Sequence, residues 1–237
     1  MTQPIISTPE VEGRLVDHLA TDGMVIRAML VSTDPEVALG LASEPATPGR
    51  INYLMEKRHG SPFEHNQFQF YVKAPIFIFR EFHRHRIGWS YNEQSGRYGE
   101  LPPEFWVPDS NRKMVQEGKP GSYTFVKGSD EQWMRTIDRM EQVYTIAYRV
   151  YQEMRADGIA NEVARAVLPV GLYSRMFATC NARSLMAFLS LRTLDEGTFP
   201  STPMQEIHDV AKQLEAAFAL HMPITHEAFC RNGRVAP

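Results

Sequence analysis

Between Phe68 and Arg86 the apolar residues change from every second position to a helical spacing, and that change constrains the fold more than any other stretch of the chain. Phe68, Phe70 and Val72 fall on one face of an extended segment, with Gln67, Gln69 and Tyr71 on the other. The alternation predicts a strand over Phe63 to Val72 with one face buried. Pro75 then suits the first turn of a short helix through Ile76, Phe79, Phe82 and His83, because its fixed φ fits there and its missing N–H would be unbonded anyway. Such a helix delivers Arg84 and Arg86 at its C-terminal end, where the helix dipole favours positive charge.

A dense polar cluster comes directly after the helix, Arg84-His85-Arg86-Ile87-Gly88-Trp89-Ser90-Tyr91-Asn92-Glu93-Gln94-Ser95-Gly96-Arg97-Tyr98. Arg84, Arg86 and Arg97 are fork-shaped donors that match phosphate oxygens, while His85, Asn92, Glu93 and Ser95 suit the neutral polar edges of a ring. A solvated charged loop is the plainer reading of a basic run. The flanks oppose it here: Ile76 to Phe79 and Phe82 precede the cluster, and Trp89, Phe105 and Trp106 interrupt or succeed it, so the arginines are expected to emerge from packed surroundings at a cleft.

Elsewhere the pattern is that of an α+β chain. Val11 to His18 alternates as a strand, and Ile51, Leu54 and Met55 form a helical stripe before the Gly60-Ser61-Pro62 break. Ser129 and Gln132 read as a capping box for a helix carrying Trp133, Ile137, Met140, Tyr144, Ala147 and Tyr151, a stripe expected in a core or a subunit interface. A shorter helix runs from about Ile159 to near Pro169. Leu172 to Cys180 reads as a strand, and Asn181 as the cap of a helix through Leu185, Phe188 and Leu189. Thr202, Pro203 and Gln205 open a final long helix with Met204, Ile207, Val210, Leu214 and Phe218 inward. Gly118 to Gly128 is a loop or surface hairpin. The expected fold is one compact domain over residues 1–237, with an antiparallel or mixed sheet flanked by long helices.

Composition narrows the class. With 237 residues, 43% hydrophobic content and a net charge of −3, the chain has enough apolar material for a core and too little positive charge for a generic nucleic-acid binder. No apolar run reaches membrane-spanning length, and Met1-Thr2-Gln3-Pro4 lacks a basic region leading into an apolar stretch, so a cytoplasmic protein without membrane association is expected. Cys180 and Cys230 stand far apart in no paired motif, and both are read as free buried thiols. There is no glycine-rich dinucleotide loop and no Gly-Lys-Ser/Thr loop, so phosphates must be held by side chains and helix ends. No metal site is expected. His83 and His85 splay apart at helical spacing, and no His-Glu-x-x-His arrangement exists to combine with His59 or His65.

The pattern Arg84-His85-Arg86, eight residues, then Ser95-Gly96-Arg97 resembles the signature of the flavin-dependent thymidylate synthases. The resemblance extends through Ser61-Pro62-Phe63-Glu64-His65, Val72-Lys73-Ala74-Pro75-Ile76-Phe77, Val163-Ala164-Arg165-Ala166-Val167-Leu168-Pro169 and Asn181-Ala182-Arg183-Ser184-Leu185-Met186, in family order over about residues 50 to 195. It implies reductive methylation of dUMP to dTMP, with 5,10-methylenetetrahydrofolate as one-carbon donor, NADPH as reductant, bound FAD and no cysteine nucleophile. By the same resemblance, His59, Ser61, Arg84, His85, Arg86, Glu93, Asn181 and Arg183 match flavin contacts. Glu81, Arg84, Ser95, Gly96, Arg97, Arg165 and Arg192 match the nucleotide site, with Arg192 the catalytic arginine at the pyrimidine. A homotetramer with sites between subunits is implied as well.

Plainer roles stand beside several of these residues. Arg165 could pair with Glu162 or Asp157, Arg183 and Arg192 could be exposed helix charges, and Ser95 could serve as a turn former beside Gly96. Glu64 either orients neighbouring histidines or pairs with an arginine. Departures from the family pattern fall at the longer spacer before Ser95, at Ala187 where relatives place an asparagine, at Glu196 near a histidine position, and at Glu81 where some carry glutamine. A non-catalytic nucleotide-binding protein or an RNA-binding module on the same scaffold are the alternatives, and the net acidity weighs against RNA.

Overall fold

In the computed structural model, residues 4–40, 47–119 and 122–237 are described. In chain order the elements are β1 (Ile6–Thr8), β2 (Glu12–Leu19), α1 (Asp22–Leu30), α2 (Pro35–Gly40), α3 (Pro48–Glu56), β3 (Gln67–Pro75), α4 (Ile76–Phe82), β4 (Trp89–Glu93), β5 (Glu104–Trp106), β6 (Val115–Lys119), β7 (Ser122–Val126), α5 (Asp130–Ala156), α6 (Asn161–Ala164), β8 (Tyr173–Cys180), α7 (Ala182–Arg192), α8 (Gln205–His221) and α9 (Pro223–Arg231). Turns of 3₁₀ helix occupy Ser61–Glu64 and Arg165–Val167. The α+β expectation holds, with parallel and antiparallel pairings both present. Met1, Thr2 and Gln3, on which the reading of the N-terminus rests, lie outside the described residues. So do Pro120 and Gly121 within the expected hairpin. Among the described residues no helix is long and apolar enough to cross a membrane.

The chain folds into two units. One comprises the described parts of Met1–Glu10, with Ala74–Phe79 and Glu93–Ser174. Its core gathers Leu101, Phe105, Val107, Tyr144, Tyr148, Tyr151, Ala164 and Leu172. Helix α5 starts where expected because Ser129 and Gln132 form the reciprocal capping box, and its tyrosine stripe is core. The hydroxyls are bonded, as burial requires: Tyr144 donates to the Trp106 carbonyl at 2.9 Å, and the Tyr151 oxygen accepts from the Leu101 amide at 3.2 Å. Tyr148, absent from the expected stripe, is almost fully buried. Strands β6 and β7 pair antiparallel, so the hairpin form of the 118–128 expectation is the one observed.

The other unit comprises Val11–Lys73, Arg80–Asn92 and Arg175–Pro237. It holds a four-stranded sheet ordered β2-β3-β8-β4. Phe68, Phe70 and Val72 are fully buried on one face, as their alternation predicts. The strand begins later than expected, however, because Pro62 and Phe63 sit in a 3₁₀ turn and Phe63 is buried from there. Ile207, Val210, Leu214 and Phe218 line the buried face of α8, whereas Met204, at its N-cap, is exposed rather than inward. Helix α8 is not the last: Pro223 opens α9 in its first turn. The segment expected as a helix from Ile159 to Pro169 is a single α turn that tightens into 3₁₀ geometry before Leu168 adopts an extended conformation. Cys180 is buried as expected and Cys230 is exposed, correcting half of that reading.

Candidate active site

In the unit that holds the sheet, α4 ends at Phe82 and the chain turns, with the His85 amide donating to the Phe82 carbonyl at 2.8 Å. Aromatic packing fixes that turn against α7. The Phe82 ring stacks on Phe188 at 4.8 Å, Trp89 approaches Phe188 at 5.3 Å, and His85 meets the same ring edge-on at 4.8 Å. The Phe82–Phe188 and Trp89–Phe188 pairs each contribute about 0.5–1.5 kcal/mol beyond the area they bury. The Trp89 indole also donates to the Ser184 carbonyl at 3.3 Å. The Tyr91 hydroxyl lies 2.9 Å from both the Phe82 and the His85 carbonyl oxygens, and burial pushes its pKa up. Gly88 has φ +67°, a left-handed conformation that favours glycine, and a Cβ there would fall 2.2 Å from the Ser184 hydroxyl. The tight approach of the signature turn to α7 therefore depends on glycine at this position.

This packing assembles Glu81, His85 and Arg192. Arg192 Nη1 pairs with Glu81 Oε2 at 2.6 Å, Nη2 reaches the Glu81 carbonyl at 3.4 Å, and Nε donates to His85 Nε2 at 3.0 Å. The Arg192 side chain is only 15% exposed, so it is not a surface charge. Burial, then the charges of Arg192 and Arg84, lower the His85 pKa from 6.5 to about 4. The imidazole is thus neutral near pH 7. Its hydrogen bond to Arg192 assigns the lone pair to Nε2 and the proton to Nδ1.

The N-terminus of α7 carries a second group. Asn181 Oδ1 accepts from the Ser184 amide at 2.9 Å, the cap predicted from sequence, and Asn66 Oδ1 accepts from the Ala182 amide at 2.7 Å. Arg183 reaches Glu64 at 2.5 Å, and its guanidinium carbon and Nε come within 2.5 Å of where a Cβ on Gly60 would stand, placing it beside the His59-Gly60-Ser61 corner. Glu64 thus pairs with an arginine, one of the two roles open to it. A cavity of about 430 Å³ opens here, lined by Glu64, Asn66, Gly88, Trp89 and Asn181 among others, within the size range of small-molecule sites. Of the expected flavin set only Asn181 lines it. Arg84 and Arg86 are exposed beyond α4.

In the unit built around α5, Gly96 is buried, and a Cβ there would lie 3.3 Å from Arg165 Cδ. Ser95 forms the turn: its hydroxyl accepts from the Arg97 amide at 3.3 Å and its carbonyl from the Tyr98 amide at 3.3 Å. Arg97 pairs with Glu162 at 3.0 Å, an exposed contact, so the carboxylate considered for Arg165 serves Arg97 instead. Glu93 accepts from the Ser174 hydroxyl at 2.7 Å. The cavity between Glu93, Gly96 and Arg165 is about 100 Å³, below the roughly 300 Å³ of a small-molecule pocket. Asn66 and Ser174 carry no sequence signal that would place them in these clusters, whereas Tyr91 lies within the polar stretch. Among the described residues, Glu215, His226 and Cys230 bring metal-type donor atoms within 4.8 Å of one another. That carboxylate already binds Arg234 at 2.7 Å and Lys212 at 2.9 Å, which makes the group an ion-pair network.

Similarity to known proteins spans both units. The family described as thymidylate synthase complementing protein matches residues 14–224. A flavin-dependent thymidylate synthase of Streptomyces coelicolor is 55% identical over 246 aligned positions that cover all of both chains. One from Tropheryma whipplei is 48% identical, covering 96% of this chain and 95% of its own. Among solved structures, a UMP/dUMP methylase, PolB, from Streptomyces cacaoi bound with 5-Br UMP superimposes with a TM-score of 0.91 at 47% identity, covering 99% of this chain and all of its own.

Proposed function

Because the chain belongs to the flavin-dependent thymidylate synthase family, we propose that it reductively methylates dUMP to dTMP, taking the one-carbon unit from 5,10-methylenetetrahydrofolate and reducing equivalents from NADPH. The observation that carries this reading is Arg192, a nearly buried guanidinium held in place by Glu81 and by a neutral His85. A guanidinium so restrained stabilises negative charge developing on a pyrimidine with little reorganisation, the condition under which such donors are most effective. Glu81 and His85 set its orientation, and His85 keeps Nε2 unprotonated to do so.

The residues present fit FAD. Arg84 and Arg86 offer exposed guanidinium groups to a pyrophosphate. The α7 N-terminus adds Arg183 and the Asn181 side-chain amide nitrogen, since the Asn181 oxygen is already used as a cap. His59, Ser61, His85 and Glu93 complete the set that would hold the cofactor. When bound, FAD supplies the hydride-transfer chemistry, and the chain's contribution is distance and orientation. Ser95, Gly96, Arg97 and Arg165 would hold the nucleotide phosphate and sugar. A cysteine nucleophile is not part of this reading: burial pushes the Cys180 thiol well above its ordinary pKa, the opposite of what a thiolate nucleophile needs.

In this reading residues 1–237 form one catalytic domain, working as a cytoplasmic homotetramer with sites shared between subunits and with no nucleic-acid or membrane partner. Purified protein with FAD, NADPH, methylenetetrahydrofolate and dUMP is expected to form dTMP, and to lose that activity when any one component is withheld. Saturating FAD is expected to raise the melting temperature, because a ligand of the native state shifts the folding equilibrium. Absence of both dTMP formation and FAD stabilisation would overturn the reading. Light scattering with mixed Arg84→Ala and Arg183→Ala variants tests the assembly: a monomer that is fully active at assay concentration excludes shared sites.

A further inference from the structure

Arg192 is the last residue of α7, and the segment just beyond it is tied down from the C-terminal end of the chain. Thr193 is buried. Its hydroxyl donates to the Leu189 carbonyl at 2.8 Å and accepts from Arg234 Nη2 at 3.1 Å. The same Arg234 Nη2 lies 3.2 Å from Asp195, and Nη1 binds Glu215 at 2.7 Å. The adjoining Gly233 carbonyl accepts from the Thr198 amide at 2.9 Å. Arg234 therefore engages Thr193, Asp195 and Glu215 at once, the first two within three residues of Arg192, and its Nη1 also lies 3.6 Å from Cys230 Sγ.

The corner that presents Arg234 is a conformationally costly one. Gly233 has φ +73° and Arg234 itself φ +55°, and the left-handed region is unfavourable for a side chain such as arginine. A Cβ on Gly233 would lie 2.0 Å from the Thr198 hydroxyl, so glycine is also needed for the close approach. The result is a guanidinium 8% exposed, lying over the Phe229 ring at 5.0 Å. The pair with Glu215 ties Arg234 to α8 and the contact with Cys230 ties it to α9. The further bonds to Thr193 and Asp195 reach toward the end of α7 instead.

We propose that Arg234 is a positioning residue for the proposed methylation, fixing the C-terminal end of α7 through Thr193 and thereby the direction from which the Arg192 side chain leaves its backbone. The proposal rests on the reading of Arg192 as the pyrimidine-facing arginine. Arg192 is then restrained from two directions, by Glu81 and His85 at the side chain and, through the neighbouring Thr193 side chain, by Arg234. Positioning of this kind matters because a displacement of about 1 Å at a reacting group can cost about 10²-fold in rate.

Arg234→Lys keeps a cation beside Glu215 and Asp195 but lacks the planar fork that also spans Thr193, and Glu215 retains Lys212 and His226 as partners. The variant is expected to lower kcat for dTMP formation about 10-fold or more while KM for dUMP changes little. In an Arg192→Ala background the same substitution is expected to have no further effect, since coupled residues are non-additive. Hydrogen exchange measured on the 191–196 segment is expected to quicken in Arg234→Lys. If Arg234→Lys does not fold, Thr193→Val reads the same cycle with the Glu215 and Asp195 pairs left intact. Equal fold-losses in both backgrounds, unchanged kcat, or unchanged exchange over 191–196 would overturn the proposal. Wild-type protein that forms no dTMP would overturn the functional reading instead, and the exchange measurement would still decide whether Arg234 holds this segment.

Discussion

Arg192 and Arg97 belong to different units of the chain and are held in opposite ways. Arg192 is 15% exposed and engages Glu81 and His85 simultaneously. Arg97 is 55% exposed and meets one carboxylate, Glu162, itself 54% exposed, and the neighbouring Arg165 is exposed as well. An exposed ion pair contributes about 0–1 kcal/mol, so a phosphate making charge-assisted bonds to Arg97 displaces Glu162 at small cost. A mostly shielded guanidinium with several partners does not exchange them so readily. Under the proposed function the contrast amounts to a division of labour: one unit would offer solvated arginines to capture an anion, and the other an arginine already oriented for charge that develops during reaction.

The largest expected effect is at Arg192. Replacing it with alanine is expected to reduce dTMP formation by about 10²–10³, the usual cost of removing one preorganised donor. Reduction of bound flavin by NADPH without dUMP should survive much better. Stopped-flow absorbance of the flavin beside a dTMP assay separates the two. If both half-reactions fall together with the melting temperature, Arg192 is a structural ion pair and the division of labour fails.

Arg97→Ala and Arg165→Ala should behave differently. Each is expected to weaken dUMP affinity by about 10- to 100-fold, the range of a lost hydrogen bond to a charged group, while the melting temperature stays within a few degrees. Calorimetric titration with dUMP checks this. A variant that keeps normal dUMP affinity would remove its arginine from the anion-capturing set.

His85 probes the preorganised arginine through pH. Its folded pKa is lowered to about 4 from an ordinary 6.5, first by burial and then by Arg192 and Arg84. Between those values the unfolded chain binds a proton that the folded chain does not, so stability is full above about pH 6.5 and declines as pH falls toward 4. Below about pH 4 this contribution changes no further. Thermal melts of wild type and His85→Gln from pH 4 to 8 are expected to differ in slope within that window and to run parallel above it. Parallel curves throughout would mean that the imidazole is not held neutral by its surroundings.

The local parts of this architecture were legible in the amino-acid sequence, and the non-local ones were not. Phe68, Phe70 and Val72 announce a one-sided strand because burial repeats along the backbone, and Ser129 with Gln132 or Asn181 with Ser184 announces a helix start because both partners lie within one turn. Phe63 looks like the beginning of that strand, yet Pro62 diverts it into a 3₁₀ turn. Arg183 and Glu64 meet across 119 residues, Arg97 and Glu162 across 65, and Thr193 and Arg234 across 41. Nothing in local spacing selects such partners, which is why Glu162 looks like a partner for Arg165 until the fold is seen. The candidate site residues were reached through the family signature, and their assembly into separate clusters came from packing that spacing does not encode.

The smallest expected effect falls on Glu162, and it tests the contrast between the two arginines from the other side. If Arg97 is held only loosely, removing its carboxylate should cost almost nothing in stability: Glu162→Gln is expected to change it by less than about 0.5 kcal/mol, as for most exposed pairs. The same change relieves Arg97 of a competing anion, so dUMP affinity should rise slightly, by about twofold to threefold, and more at low salt than at high salt, because exposed charges are screened. Denaturant titration and dUMP binding at two ionic strengths measure both quantities. A loss of more than about 2 kcal/mol, well beyond the range of an exposed pair, or a fall in dUMP affinity, would show that the Arg97–Glu162 pair is a built support like the one around Arg192, and the contrast between capturing and preorganised arginines would have to be abandoned.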